Sequence, residues 1–154
     1  MAKFLFRAEP ALTLRRKLED EARLALADAQ RRAYLAEDEL RKARESLSDA
    51  TRRACENEAQ ATDPTLAIWY RNWIKRQQRE VARSAQVLDG RRAEVGQAEQ
   101  RVMEAHRAVR ALEKLRQKAL DEFTDHERRT EQKEIDLLGV MQYAMRSRDQ
   151  GRHQ

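Results

Sequence analysis

The sequence has one cysteine, two prolines, four glycines and few aromatic residues, which make up only 5% of its 154 positions. Cys55 has no partner in the chain, so an internal disulfide is excluded, in keeping with a reducing cytoplasm. So little glycine and proline leaves few places for the chain to turn, which argues against loop-rich and strand-rich folds. The longest apolar run, Leu137-Leu-Gly-Val-Met141, is too short to span a bilayer. The opening Met1-Ala-Lys-Phe-Leu-Phe-Arg7 lacks the apolar length expected of a signal peptide.

Catalytic patterns are equally scarce. There is no glycine-rich phosphate loop, and Cys55 sits among charged residues with no histidine near it in sequence. His106, His126 and His153 are not at metal-ligand spacing from one another or from Cys55. Adjacent acids such as Asp20–Glu21 and Asp121–Glu122 read as solvated helix faces, because a thin helical rod has no interior in which to tune them. A non-enzyme without cofactor or metal is expected.

What is present is charge over a helical stripe. Asp, Glu, Lys and Arg make up 38% of the chain, mixed in sign, the profile of long helices and coiled coils rather than of disorder. From Ala11 the apolar positions run Ala11, Leu14, Leu18, Ala22, Leu24 or Ala25, Ala29 and Ala33, an eleven-residue rhythm that predicts nearly straight helices toward the termini. From Ala33 the stripe turns to strict heptads through Ala36, Leu40, Ala43, Leu47, Ala50 and Ala54. Glu19–Arg23, Asp28–Arg32 and Glu37–Arg41 are expected to support the first helix as pairs one turn apart. A second heptad run occupies Val95, Ala98, Val102, Ala105, Val109 and Leu112, continuing through Ala119 and Phe123 toward Leu137.

Asp63–Pro64 separates the two runs. Aspartate caps free N–H groups and proline fits the first helical turn, whereas proline inside a helix costs about 3 kcal/mol. The expected architecture is all-α: a long two-helix antiparallel coiled-coil hairpin with an extended C-terminal helix. Its parts are helix one over about 10–61, a turn at about 62–64, helix two over about 64–145 and a frayed tail at 146–154. Folding about the turn pairs residues whose numbers sum to about 127, setting Leu40 against Leu88 and Ala29 against Ala98, with Phe6 near Phe123. Helix two is then too long for its partner. Residues from about 124 to 145, with Ile135, Leu137, Leu138, Val140, Met141 and Met145, form an overhang offering apolar contacts to something else. Glycines at 90 and 96 are expected to soften the rod.

Charge is uneven along helix two: residues 66–118 hold 13 Lys/Arg against 6 Asp/Glu, and residues 119–154 hold 6 against 8. The plain reading is a solvated face; the sharper one is a docking surface for an acidic partner or nucleic acid. Arg71, Lys75, Arg76, Arg79 and Arg83 suit a groove-following helix, but such helices fork from parallel dimers, and Asp63–Pro64 predicts a hairpin. Nucleic-acid binding is therefore not expected, and the free protein is expected to be a monomer.

Three stretches carry a family resemblance. They are the opening Phe4-Leu-Phe-Arg-Ala-Glu-Pro-Ala-Leu-Thr-Leu-Arg15, the aromatic segment Trp69-Tyr-Arg-Asn-Trp-Ile74, and the tail from Leu112-Glu-Lys-Leu-Arg116 through Arg129-Thr-Glu-Gln-Lys-Glu-Ile-Asp136. In this order they resemble the flagellar export protein FliJ family, whose Glu/Asp-Gln-Lys-x-x-Asp-Glu signature is met here by Glu131, Gln132, Lys133 and Asp136, with Leu137 replacing the last Glu. The resemblance implies a cytoplasmic stalk of the flagellar type III protein export apparatus, peripheral to the inner membrane at the flagellar base. It implies three partners: the flagellar export ATPase hexamer, the export-gate membrane protein and the export chaperones. By the same resemblance Glu131, Gln132, Lys133, Asp136 and Leu138 would meet the ATPase ring, and Trp69, Trp73 and Ile74 the gate. Helix-one aromatics of the family's gate surface correspond here to Ala43, Ser46 and Ala50. The alternatives are the equivalent stalk of a virulence secretion system and a generic coiled-coil or nucleic-acid-binding rod.

Overall fold

The computed structural model describes residues 3–60 and 63–151, with side chains through residue 148. It is all-α, as expected: α1 is Glu9–Ala59 and α2 is Pro64–Gly151, 51 and 88 residues long. Each start has a local cause. The Glu9 N–H donates to the Phe6 carbonyl at 3.1 Å, closing a turn, and the Leu12 N–H reaches the Ala8 carbonyl at 3.0 Å. Ala8 thus precedes the first helical residue, and Pro10 sits in the first turn, where its missing N–H is not needed. At α2 the Asp63 carboxylate accepts the Thr65 N–H at 2.9 Å, the expected cap, with Pro64 as the first helical residue. The Gln60 N–H closes the end of α1 on the Asn57 carbonyl at 3.1 Å. Ala61 and Thr62, in the predicted turn, lie outside the described residues.

At its far end α2 continues through Gly151, beyond the end anticipated near Met145. A last turn with Arg148 suits the negative end of the helix dipole, so the absence of an apolar stripe does not end the helix. Residues 152–154 of the predicted frayed tail lie outside the described residues.

The chain divides into two compact units, a central one of Arg16–His106 and a terminal one joining Met1–Arg15 to Arg107–Gln154. In the central unit Arg92 Nη2 donates to Glu37 Oε1 at 3.0 Å, and His106 Nδ1 lies 2.9 Å from Glu19 Oε1. Numbers rise on α1 as they fall on α2, so the helices run antiparallel. Leu40 and Leu88 share a buried cluster with Ala36, bordered by Val81 and Ala85. The numbers of these pairs sum to within about two of the anticipated 127. In the terminal unit Arg116 Nε donates to Glu9 Oε2 at 3.0 Å.

The eleven-residue rhythm of the first helix is not what the structure uses. Leu14 and Leu18 are 56% and 40% exposed, while Leu12 is fully buried and Glu19 is only 7% exposed. Inward positions on α1 are Leu12, Glu19, Ala22, Leu26, Ala29, Ala33 and Ala36, continuing to Ala54 in unbroken heptad steps with exposed Arg15 filling the one gap. The cause is a carboxylate in the seam. Glu19 takes an inward position because Arg23 Nη2, at 2.5 Å, and His106 satisfy it, and a search for apolar letters passes over that position. The predicted Glu37–Arg41 pair is also replaced: Arg41 bonds Asp38 and Glu45, which frees Glu37 to reach across to Arg92.

Candidate functional site

Two stretches of α2 carry the predicted contacts. The first is the far end of the helix. Every residue from Arg128 through Arg148 is exposed, so the bare segment begins slightly later than the anticipated 124, since Thr124 and Glu127 are still half-covered. Phe123 marks the last covered aromatic. Its ring lies 5.6 Å from that of Phe4, not Phe6, the two-residue shift that the 127 register itself requires; Phe6 lines the same hollow of about 530 Å³ with Ala119.

Beyond that hollow, Ile135, Leu137, Leu138, Val140, Met141, Tyr143 and Met145 are all between 53% and 76% exposed. Leu137, Met141 and Met145 step by four along one side, with Leu138 and Val140 flanking them, while Ile135 and Tyr143 lie toward the other. The five predicted residues do not share a face. Glu131 and Leu138 fall on one side, Gln132 and Asp136 on another, where Gln132 Nε2 donates to Asp136 Oδ1 at 2.8 Å, and Lys133 on a third. They encircle the helix.

The second stretch opens α2 in the central unit. Trp69, Tyr70 and Trp73 form a cluster, with ring centroids 5.1 Å (Trp69–Tyr70), 5.2 Å (Trp69–Trp73) and 6.0 Å (Tyr70–Trp73) apart. Trp69 is exposed, Trp73 half-buried, and Ile74 half-buried with Tyr70 and Ala54 around a small hollow of about 120 Å³. The three predicted gate residues therefore do different things: Trp69 is offered to solvent, Trp73 braces it, and Ile74 belongs to the seam. Tyr70 joins the cluster although it was not among the predicted residues; its position between the tryptophans is the signal that finds it. Of the helix-one positions, Ala43 and Ala50 are buried in the seam and Ser46 is exposed.

Charges along α1 of the central unit are largely engaged. Hydrogen bonds from Arg41 and Lys42 hold the Asp38 carboxyl below its ordinary value, and a bond from Arg52 does the same for Asp49. Cys55 is exposed, no group of residues suited to holding a metal occurs among the described residues, and no described helix is long and apolar enough to cross a membrane.

This geometry can be set beside known proteins. A sequence model of the flagellar FliJ protein family matches residues 6–148. The chain belongs to that family. No curated protein matches it. Among solved structures, a YscO homologue from Chlamydia trachomatis is similar with a TM-score of 0.60 at 15% identity, over 95% of this chain and 99% of that one. At that identity the likeness concerns the fold, and it extends over nearly the whole of both chains.

Proposed function

We propose that this FliJ-family protein is a non-enzymatic stalk of the flagellar type III export apparatus, coupling the export ATPase hexamer to the membrane export gate. One observation carries the reading: a helix bare on every side from Arg128 to Arg148, with apolar and charged residues distributed around it. A helix that docks on one partner surface needs one sticky face, whereas a helix enclosed by a ring meets protein all round. Glu131, Gln132, Lys133, Asp136 and Leu138 are the proposed ring contacts. Trp69, braced by Trp73 and Ile74, is the proposed gate contact, tryptophan being a favoured energetic anchor of interfaces.

The mechanism needs no bond chemistry. A single asymmetric helix in a sixfold ring touches the subunits unequally, and so favours hydrolysis at one subunit over the next. The protein would act in the cytoplasm, peripheral to the inner membrane, and assist the chaperones that deliver substrates. The fold likeness to the YscO homologue keeps open the equivalent role in virulence secretion, while the family match favours the flagellar one.

The test is the activity of the partner ATPase with full-length protein and with a variant lacking residues 124–145. Stimulation by the full chain alone is expected; equal stimulation by both would remove the overhang from the mechanism.

A further inference from the structure

The stretch of α2 just after its start has a second, basic surface, which shares Trp69 with the aromatic cluster. Arg71, Lys75, Arg79 and Arg83 step by four, drifting by only about 40° per step, and Arg76 falls about 20° beyond Arg83 in angle. All five are exposed; Arg71 borders the seam beside Ile74, and the other four lie on the side of the helix turned away from the seam positions Ile74, Val81 and Leu88. No carboxylate among the described residues lies within 4.0 Å of any of them. On α1 of the same unit Arg41, Lys42, Arg52 and Arg53, by contrast, each pair with an acid, although Arg31, Arg32 and Arg44 form no ion pair within 4.0 Å among the described residues. Glu80 is the one acid between residues 64 and 88. At the N-terminal end of the same outward arc stand Ile68 and Trp69, 56% and 55% exposed.

Mutual repulsion along such a row is relieved only by counterions or by a negatively charged partner. Arg71 borders a small hollow beside Ile74, whereas the other four cations stand exposed on the outer side of the helix, an arrangement that suits a plane better than an inserted segment. Its two apolar side chains gain little from a phosphate backbone. At a lipid surface they sink to the headgroup level, where tryptophan is favoured, while long Arg and Lys stems reach anionic headgroups. We infer that the outward face of α2 from Ile68 to Arg83 is a docking surface for an anionic lipid bilayer. This deepens the membrane-peripheral part of the proposed function by adding a direct lipid contact, independent of any gate protein.

Flotation of the full chain with protein-free vesicles tests it, comparing phosphatidylcholine alone with phosphatidylcholine containing about 30% phosphatidylglycerol. Binding to the anionic vesicles only is expected, weakening steeply with salt and shifting tryptophan emission to the blue. Arg76→Gln/Arg79→Gln/Arg83→Gln, at about fivefold per cation, should lower the partition by about a hundredfold. Arg41→Gln/Arg52→Gln/Arg53→Gln, which removes the same net charge from paired positions on α1, should lower it far less. Circular dichroism should show both variants as helical as the parent. Equal binding to both vesicle types, equal loss in the two variants, or capture by duplex DNA without vesicle binding would overturn the inference. Because the vesicles carry no gate protein, failure here leaves the gate reading standing, and failure of gate binding leaves this one standing.

Discussion

Residues 64–106 and residues 128–148 belong to one continuous helix, yet they are helical for different reasons. The first has a partner: Leu88 is 4% exposed and Ala98 7%, and the apolar stripe is consumed by the opposite strand of the coil. The second is proportionally richer in leucine and methionine but buries none of them, and is held by backbone hydrogen bonds and local pairs such as Gln132–Asp136. Packing supplies most helical stability in proteins, so the bare end is the part of α2 free to exchange solvent for a partner. Similar apolar content therefore does unequal work, scaffold in one place and exposed surface in the other, where the proposed contacts lie.

Truncation should expose that contrast most strongly. Leu88→Ala is expected to cost about 2–4 kcal/mol in urea unfolding, while Leu138→Ala should stay within about 0.5 kcal/mol. Comparable losses would mean that the far end is covered in the free protein. A smaller effect concerns the polar break in the seam. His106→Ala should destabilise by roughly 1 kcal/mol by taking one partner from the buried Glu19, whereas Glu19→Met should be neutral or stabilising, since it replaces a desolvated carboxylate with an apolar side chain. If both lose stability equally, the pair is worth more than the cost of burying it.

Glycine substitution comes next. An added Cβ meets nothing within 4 Å at Gly96 or Gly139. Gly96→Ala should raise the unfolding midpoint with a gain of roughly 0.5–1 kcal/mol, while Gly139→Ala should raise helical content without moving the main transition. The smallest effect is that of pH. Asp38 and Asp49 have folded-state values lowered from the usual 3.8 by their cationic neighbours, so their contribution is present above that value and is lost as pH falls through the lowered ones. Because both carboxylates keep about a third of their surface in solvent and are screened there, Asp38→Asn should only slightly flatten the acid limb of a stability-versus-pH curve.

Much of this was legible in the letters. Asp63–Pro64 announced both the cap and the reversal, and the heptads from Ala33 to Ala54 and from Val95 to Leu112 announced the seam. The register followed from the position of the turn alone, and even located the Phe4–Phe123 contact better than reading by residue type did. What escaped was the first part of α1, where a buried Glu19 keeps heptad phase and turns Leu14 and Leu18 outward. Side-chain chemistry at 19 depends on a histidine 87 positions away, which no local pattern encodes. The candidate contacts were legible as residues but not as surfaces: only placement on the helix separates Trp69, which is free to bind, from Ile74, which serves the seam.

The most direct measurement is hydrogen exchange on the full chain, alone and with the assembled export ATPase. Amides of residues 128–148 should exchange quickly in the free protein and become protected in the complex, while those between residues 20 and 105 stay as slow as before. Protection that appears in the paired region instead, or fast exchange at 128–148 in both states, would contradict the division of labour described for α2.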